Sequence, residues 1–212
     1  MEYPDRTIER LCSYRRALIR RSEAGLDRVF SHDLAVDLRV TAAQVRRDLM
    51  TIGVTGSPAR GYAAPVLLER IGQILDPPLG DGAVLVGVGH LGRALLSYFS
   101  NRRAPLSIVA AFDRDPERSG KILHGCRVHP MDALPEIIRD LNVSVGIIAV
   151  PSESAQAAAN QLMANGIRGL VNFAAVHLRV PEHVHVEDVD ITVSMEKTAY
   201  FAREHSEQRE AN

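Results

Sequence analysis

The chain has 212 residues, of which 46% are hydrophobic, and its 25 basic and 26 acidic side chains leave a formal net charge of −1. This length suits one ordinary domain or two small ones, with enough apolar residues to form a core. No apolar run approaches the roughly 20 residues of a membrane-spanning helix. The first residues lack the basic head and apolar stretch of a secretory signal. We therefore expect a cytoplasmic protein that does not enter a membrane.

The charge is distributed unevenly along the chain. Residues 1–76 contain 12 arginines, no lysine and 10 acidic residues, whereas the remainder carries 13 basic and 16 acidic residues. A small positive balance does not by itself indicate nucleic-acid binding, because the placement of the arginines decides.

Cysteine and histidine usage indicates neither a disulfide framework nor a metal site. Cys12 and Cys126 fall in different predicted domains and are expected to be buried thiols in a reducing compartment, since no redox motif surrounds them. The eight histidines lack metal-ligand spacing. His183 and His185 lie in an alternating segment that is typical of an exposed strand. We predict no metal.

The first part of the chain is predicted to be helical. Apolar residues recur at helical spacing over residues 7–23, and Gly25 ends this helix. Ser31 is the expected N-cap of a short helix that runs through Leu38. Residues 64–75 form a further amphipathic helix.

A capping box opens the helix predicted at residues 42–51. In Thr41-Ala-Ala-Gln44 the Thr41 hydroxyl can accept the backbone N–H of Gln44, and the Gln44 side chain can accept the backbone N–H of Thr41. The helix is predicted to bury Val45, Leu49 and Ile52 and to end at Gly53. Its outward face carries the polar side chains expected of a DNA-reading helix, namely Gln44, Arg46 and Arg47.

A glycine-punctuated loop with one central cation, Arg60, follows at residues 53–62. Together with the short helices before it, this loop favours a winged helix-turn-helix in which Arg60 reaches toward a minor groove. The segment 76–82 contains two prolines and is predicted to be a stiff linker. A domain boundary is therefore expected after residue 78.

The most informative motif is a glycine-rich turn after the linker. An apolar strand leads into Gly87-x-Gly89-x-x-Gly92, a helix follows, and a second apolar strand ends on Asp113. The first glycine permits a tight turn, the second lets backbone N–H groups approach a pyrophosphate, and the third allows close packing of helix on strand. Asp113 is placed to bind the adenosine ribose. The motif predicts binding of a dinucleotide, NAD(H).

The remainder alternates strand and helix, which predicts an α/β fold with a doubly wound parallel sheet. Strands are expected at 83–88, 107–113, about 125–128, 144–150, 168–172 and 183–189. Val150-Pro151 and Asn172-Phe173 follow the carboxyl ends of two of them, where ligands bind in such sheets. From about Thr192 the tail is predicted to be helical and polar.

These segments together resemble the Rex family of bacterial redox-sensing transcriptional repressors, over about residues 4–203. The motifs that carry the resemblance are Val-Thr-Ala-Ala-Gln-Val-Arg-Arg-Asp-Leu (40–49), Gly-Val-Gly-His-Leu-Gly-Arg-Ala-Leu (87–95), Ala-Ala-Phe-Asp-Arg-Asp-Pro-Glu (110–117) and Gly-Leu-Val-Asn-Phe-Ala (169–174). The resemblance implies a winged-helix domain (1–78), a Rossmann-like NAD(H)-binding domain (79–190) and a C-terminal helix exchanged between subunits (191–212). It implies a homodimer that binds a palindromic DNA operator and is released by NADH.

The resemblance also assigns roles to individual residues. Gln44, Arg46 and Arg47 would lie on the recognition helix. The turn of Gly87, Val88, Gly89, His90, Leu91 and Gly92 would hold the pyrophosphate, and Asp113 the ribose. Tyr98 and Asp190 match a tyrosine and an aspartate that meet in the NADH-bound form, and Arg16 matches an arginine that pairs with this aspartate in the DNA-competent form.

The chain departs from the family pattern at three places. Pro58 and Ala59 replace the usual Arg-Gly of the wing, so Arg60 is expected to substitute with a shifted reach. Ala175 stands where the family has a proline after Asn-Phe-Ala, and Ile191 replaces an aromatic residue after the switch aspartate.

The sequence leaves two alternatives to a redox-sensing repressor. An NAD-dependent dehydrogenase needs a substrate domain and an acid–base group, but only about 20 residues follow the last predicted strand and His177 is a weak candidate. A coenzyme-A-binding regulator would use a similar glycine-rich turn, but Asp113 favours an unphosphorylated ribose. We therefore expect a regulator with no catalytic residue.

Overall fold

The computed structural model describes residues 3–57, 59–76, 81–100, 106–141 and 143–210. The chain divides into two compact units, Met1–Leu79 and Gly80–Asn212. Pro58, at which the wing departs from the family pattern, and most of the predicted linker lie outside the described residues.

The first unit packs four helices around one apolar core. They are α1 (Asp5–Glu23), α2 (Ser31–Leu38), α3 (Ala42–Thr51) and α4 (Ala64–Leu75). Short strands β1 (Arg28–Val29) and β2 (Tyr62–Ala63) pair antiparallel and flank the helix-turn-helix formed by α2 and α3. The predicted core residues Val45, Leu49 and Ile52 are all fully buried.

The start of α2 differs from the prediction. The helix begins at Ser31 itself, so Ser31 is not its N-cap. The carboxylate of Asp33 accepts the backbone N–H of Phe30 (2.8 Å), which satisfies the helix end from inside the first turn. The Ser31 hydroxyl is therefore free to accept from Nη1 of Arg46 (3.2 Å).

At the start of α3, one of the two hydrogen bonds of the predicted capping box is formed. The Thr41 hydroxyl accepts the backbone N–H of Gln44 (3.1 Å). The Gln44 side chain does not reach back, because its Nε2 donates to Oδ1 of Asp48 (2.8 Å). Gln44 is consequently half-buried rather than fully exposed, whereas Arg46 and Arg47 are exposed.

The second unit is built on a seven-stranded sheet. Its strands are β3 (Asp81–Val86), β4 (Leu106–Asp113), β5 (Ile122–Leu123), β6 (Cys126–Pro130), β7 (Val143–Ile148), β8 (Gly169–Asn172) and β9 (His185–Asp188). Their spatial order is β5-β6-β4-β3-β7-β8-β9, and all pairs except β5–β6 are parallel. Without β5 this is the order of a Rossmann fold, with the switch in direction between β3 and β7.

Among the described residues, three α-helices of the second unit lie between these strands in the chain and a fourth follows the last strand. They are α5 (His90–Ser100), α6 (Leu134–Leu141), α7 (Ser152–Ala164) and α8 (Ile191–Glu210). The prediction of an α/β protein with a doubly wound parallel sheet is confirmed. Strand β5 was not predicted, because two residues joined to β6 by a turn at Gly125 leave too short a periodic signal.

Helix α8 exposes most of its apolar side chains. Ile191, Val193 and Met195 are 57%, 56% and 68% exposed, and Tyr200 and Phe201 are half exposed. Helix α8 therefore presents an apolar surface rather than contributing to the core of its own sheet. No helix in the described part of the chain is both long and apolar enough to cross a membrane.

The two cysteines are free thiols, and one of them departs from the prediction. Cys126 is buried as expected, and this burial raises the pKa of its thiol to about 11. Cys12 is exposed on α1, because it lies on the side of the helix that faces away from the core.

Candidate functional site

The glycine-rich turn is shaped by close backbone contacts. Gly87 has φ +97°, a left-handed conformation that favours glycine, and a Cβ there would lie 2.6 Å from the carbonyl oxygen of Ala149. A Cβ on Gly92 would lie 1.9 Å from the carbonyl oxygen of Gly87. The first turn of α5 therefore rests directly on the turn that precedes it.

Gly89, in contrast, faces open space. A Cβ built on it meets nothing within 4 Å. Its lack of a side chain is not required by the packing of this unit, and it leaves room beside the N-terminus of α5. Because free N–H groups and the helix dipole favour an anion there, the turn is suited to a pyrophosphate.

Asp113 closes the turn from the neighbouring strand. Its Oδ2 accepts the backbone N–H of Val88 (2.8 Å) and Nη1 of Arg118 (3.0 Å), and its Oδ1 accepts the N–H of Asp115 (2.9 Å). Burial acts to raise the pKa of this carboxyl, but these donors outweigh it and the pKa is lowered. The residue is thus a carboxylate with room for about one more donor.

A cavity of about 960 Å³ lies at the carboxyl ends of the central strands. It includes five residues that the sequence predicted for cofactor binding, namely Gly87, Gly89, Asp113, Val150 and Pro151. The cavity lies where the strand order switches between β3 and β7, which is where dinucleotides bind in this fold. Its volume is within the range of small-molecule and cofactor sites.

The other predicted cofactor residues are not among those that line this cavity. Val88 is buried and so is Gly92 in the first turn of α5, whereas His90 and Leu91 are exposed on the same turn. Phe173 packs against the core beside β8. Asn172 is buried at the end of β8, where its amide donates to the carbonyl of Val176 and to Asp188, both at 2.8 Å.

In the loop that follows β4, the sequence indicated Arg114 as a cation near the ribose site but did not indicate Asp115 and Arg118. Arg114, Asp115 and Arg118 all line the cavity. Arg118 bridges the carboxylates of Asp113 (3.0 Å) and Asp115 (3.1 Å), and Nη1 of Arg114 contacts the hydroxyl of Ser154 (3.4 Å). The Asp-x-Asp-Pro sequence is a signal for side-chain-stabilised turns, so it could have indicated that this loop folds back.

Asp190 begins the last helix. Its Oδ1 accepts the backbone N–H of Val193 (3.0 Å), so the side chain caps α8. The predicted switch residue Asp190 therefore also has a local structural role that the sequence did not reveal.

Tyr98, another predicted switch residue, is half exposed on α5 and packs edge-on against Phe99 at 5.3 Å between ring centroids.

In the first unit, the predicted DNA-contacting side chains lie on α3 and the loop after it. Arg46 and Arg47 share an outward surface of α3 with Met50. In the loop, Ser57 and Gly61 form a bridge, and Nη1 of Arg28 donates to the carbonyl of Arg60 (2.6 Å). Arg16 is exposed on α1.

A metal site and an acid–base residue are two features that would be typical of an enzyme. Among the described residues, no group of three His, Cys, Asp or Glu side chains could hold a metal ion. His177, the candidate for acid–base chemistry, is nearly fully exposed, and its Nδ1 lies 3.0 Å from Oδ2 of Asp188. This histidine is not among the residues that line the cavity.

Comparison with known proteins covers both units. Residues 2–49 match a family described as "Putative DNA-binding protein N-terminus", and residues 81–176 match one described as "CoA binding domain". The chain is 40% identical to the redox-sensing transcriptional repressor Rex of Carboxydothermus hydrogenoformans, over 94% of this chain and 96% of the relative. It is 35% identical to Rex of Lactobacillus acidophilus, over 95% of each chain.

Solved structures of a Rex-family repressor are also similar to this chain. A crystal structure of RSP, a Rex-family repressor, in complex with β-NAD⁺ and operator DNA matches with a TM-score of 0.86 and 27% identity, covering 100% of this chain and 97% of that one. RSP in complex with β-NADH matches with a TM-score of 0.85 and 26% identity, covering 100% of both chains.

Replacement by alanine should destabilise the protein at Gly92 but not at Gly89. Gly92→Ala places a methyl group against the Gly87 carbonyl, so we expect a loss of about 3 kcal/mol or more in the free energy of unfolding, since a backbone clash cannot relax easily. Gly89→Ala is the matched control and should change stability by less than about 0.5 kcal/mol. Chemical denaturation of both variants measures this, and equal stability of the two would contradict the packing argument.

Proposed function

The chain belongs to the Rex family of redox-sensing transcriptional repressors, and we propose that it couples NAD(H) bound in the second unit to DNA bound by the first. It is a regulator and not an enzyme. The observation that carries the proposal is that relatives with this function align over more than nine-tenths of the chain. A helix-turn-helix and a cavity beside a glycine-rich turn occur together in this chain, as the proposal requires.

The pocket suits a dinucleotide. Gly89 leaves space for a pyrophosphate at the N-terminus of α5, and Asp113 is a carboxylate that can accept a ribose hydroxyl. We propose that Val150, Pro151, Asn172 and Phe173 lie on the nicotinamide side. His90 and Leu91 would contribute through the first turn of α5. When bound, the cofactor presents a nicotinamide ring whose charge differs between NADH and NAD⁺.

The recognition helix is proposed to be α3. Its arginines Arg46 and Arg47 and its half-buried Gln44 would enter the major groove, while Arg60 on the wing reaches a neighbouring minor groove. We further propose that the operator is palindromic and that the chain binds it as a homodimer, with the exposed apolar side chains of α8 packed against the partner subunit. The protein is proposed to act in the cytoplasm.

Tyr98, Asp190 and Arg16 are the proposed switch. In this proposal Asp190 meets Tyr98 when NADH is bound and Arg16 when DNA is bound. The alternatives have less support. The relatives are named as repressors and not as dehydrogenases, and the match to a coenzyme-A-binding family covers only the second unit.

NADH should bind more tightly than NADPH. The Asp113 carboxylate would repel a 2′-phosphate, and Arg118 is already paired with two carboxylates. We expect at least a ~10-fold preference, which is about 1.4 kcal/mol. Arg114→Ala should widen this preference by weakening NADPH binding alone, because among the described residues the Arg114 guanidinium contacts a hydroxyl, that of Ser154, and no carboxylate. Calorimetric titrations that give equal affinities would overturn the role of Asp113.

Asp190 should be needed for the coupling between the two ligands. NADH and operator should each weaken the binding of the other by one shared factor, because linkage is reciprocal. Asp190→Asn retains a good helix cap but removes the charge, so it should shrink that factor while α8 stays stable. Asp190→Ala should shrink the factor and also cost about 1 kcal/mol through the lost cap.

Calorimetry of NADH with and without operator measures the factor in all three proteins. An unchanged factor in both variants would remove Asp190 from the switch. A wild-type protein in which neither ligand affects the other would contradict the proposed function itself.

A further inference from the structure

Asp48 is an acidic residue that faces the interior of the first unit from the helix proposed to read DNA. It is only 3% exposed. Its Oδ2 accepts Nε of Arg10 (2.6 Å) and the hydroxyl of Tyr14 (2.8 Å). Its Oδ1 accepts Nη2 of Arg10 (2.9 Å) and Nε2 of Gln44 (2.8 Å). These four donors fill the acceptor sites of the carboxylate.

The contact with Asp48 fixes which way the Gln44 amide points. If the amide were flipped, Oε1 would face Oδ1 of Asp48, and two acceptors would be brought together without a proton between them. One N–H of Gln44 is therefore held by Asp48. The carbonyl oxygen and the second N–H remain available to a molecule that approaches the helix.

One donor and one acceptor on the same amide match the edge of adenine in the major groove. Adenine offers N7 as an acceptor and its N6 amino group as a donor, and glutamine pairs with both. We propose that Asp48 is a positioning residue for base recognition, which orients the Gln44 amide for an adenine before DNA is bound. This inference rests on the proposed function, since it requires α3 to contact bases.

Two side chains other than Gln44 hold Asp48 in place. Arg10 donates to both carboxylate oxygens and also to the hydroxyl of Thr7 (3.2 Å). Tyr14 is fully buried and donates once. The network therefore offers a matched control, because Tyr14→Phe removes one donor to Asp48 without touching Gln44.

The test is an operator titration with the full-length protein and a set of duplexes that differ at one base pair per half-site. In the wild-type protein one position should prefer adenine by about 5-fold or more, as for a bidentate pair. Asp48→Asn introduces a donor that favours the flipped Gln44 amide. The variant should lose the adenine preference and shift toward guanine, whose N7 and O6 both accept.

Three further variants make the result specific. Gln44→Ala should abolish the preference at the same position, and adding Asp48→Asn to it should change nothing more, since the two residues act as a unit. Tyr14→Phe should keep the preference. If Asp48→Asn weakens binding equally for all sequences, or if its effect adds to that of Gln44→Ala, the inference is overturned.

A measurement on the wild-type protein covers the case in which Asp48→Asn does not fold. The ¹⁵N relaxation of the Gln44 side-chain amide should give an order parameter near that of rigid backbone, about 0.85, in the free protein. A value below about 0.6 would show a mobile amide and overturn the inference. If Gln44→Ala leaves every base preference intact, or if Asp48→Asn has no effect, this inference is overturned while the proposed function still stands. The proposed recognition helix fails only if Arg46→Ala and Arg47→Ala also leave operator binding unchanged.

Discussion

The contact between Gly92 and the carbonyl oxygen of Gly87 is the constraint on which the second unit depends. Because no side chain fits between them, the first turn of α5 is held directly over the end of β3. Asp113 then reaches across from β4 to the backbone N–H of Val88, so the turn is tied to the neighbouring strand as well. The helix terminus is therefore positioned by backbone contacts before any ligand is present, and preorganisation of this kind reduces the cost of binding.

The first unit depends on a buried charge rather than on a close backbone approach. Asp48 joins α3 to α1 through Arg10 and Tyr14. Burial acts to raise the pKa of this carboxyl, but the hydrogen bonds from its neighbours outweigh it and the pKa is lowered. Removing one partner of a buried pair typically costs about 3–5 kcal/mol, because the other charge stays behind without compensation. Helix α3 is thus fixed at its interior face while Arg46 and Arg47 stay exposed.

The sequence predicted those elements whose signals are local. The bounds of α3 agree because Thr41 caps it and Gly53 follows its last turn, and the central strands agree because long apolar runs leave little choice of structure. Ser31 was wrong as a cap because Asp33, within the same turn, satisfies the helix end instead. Arg118 and Asp48 could not be predicted as site residues, since a charged side chain looks like a solvated surface until the fold brings its partners together. The cap that Asp190 provides to α8 is a local contact, and it was missed because the helix was expected to begin only at about Thr192.

We propose above all that the redox state of the bound nicotinamide ring changes the affinity of the protein for operator DNA. The most direct measurement is a titration of the wild-type protein with an operator duplex at saturating NADH and, separately, at saturating NAD⁺. A switch that moves a promoter from mostly bound to mostly free needs a differential of a few kcal/mol. We therefore expect the protein to bind the operator about 100-fold or more weakly with NADH than with NAD⁺. Equal operator affinity in NADH and in NAD⁺ would contradict it.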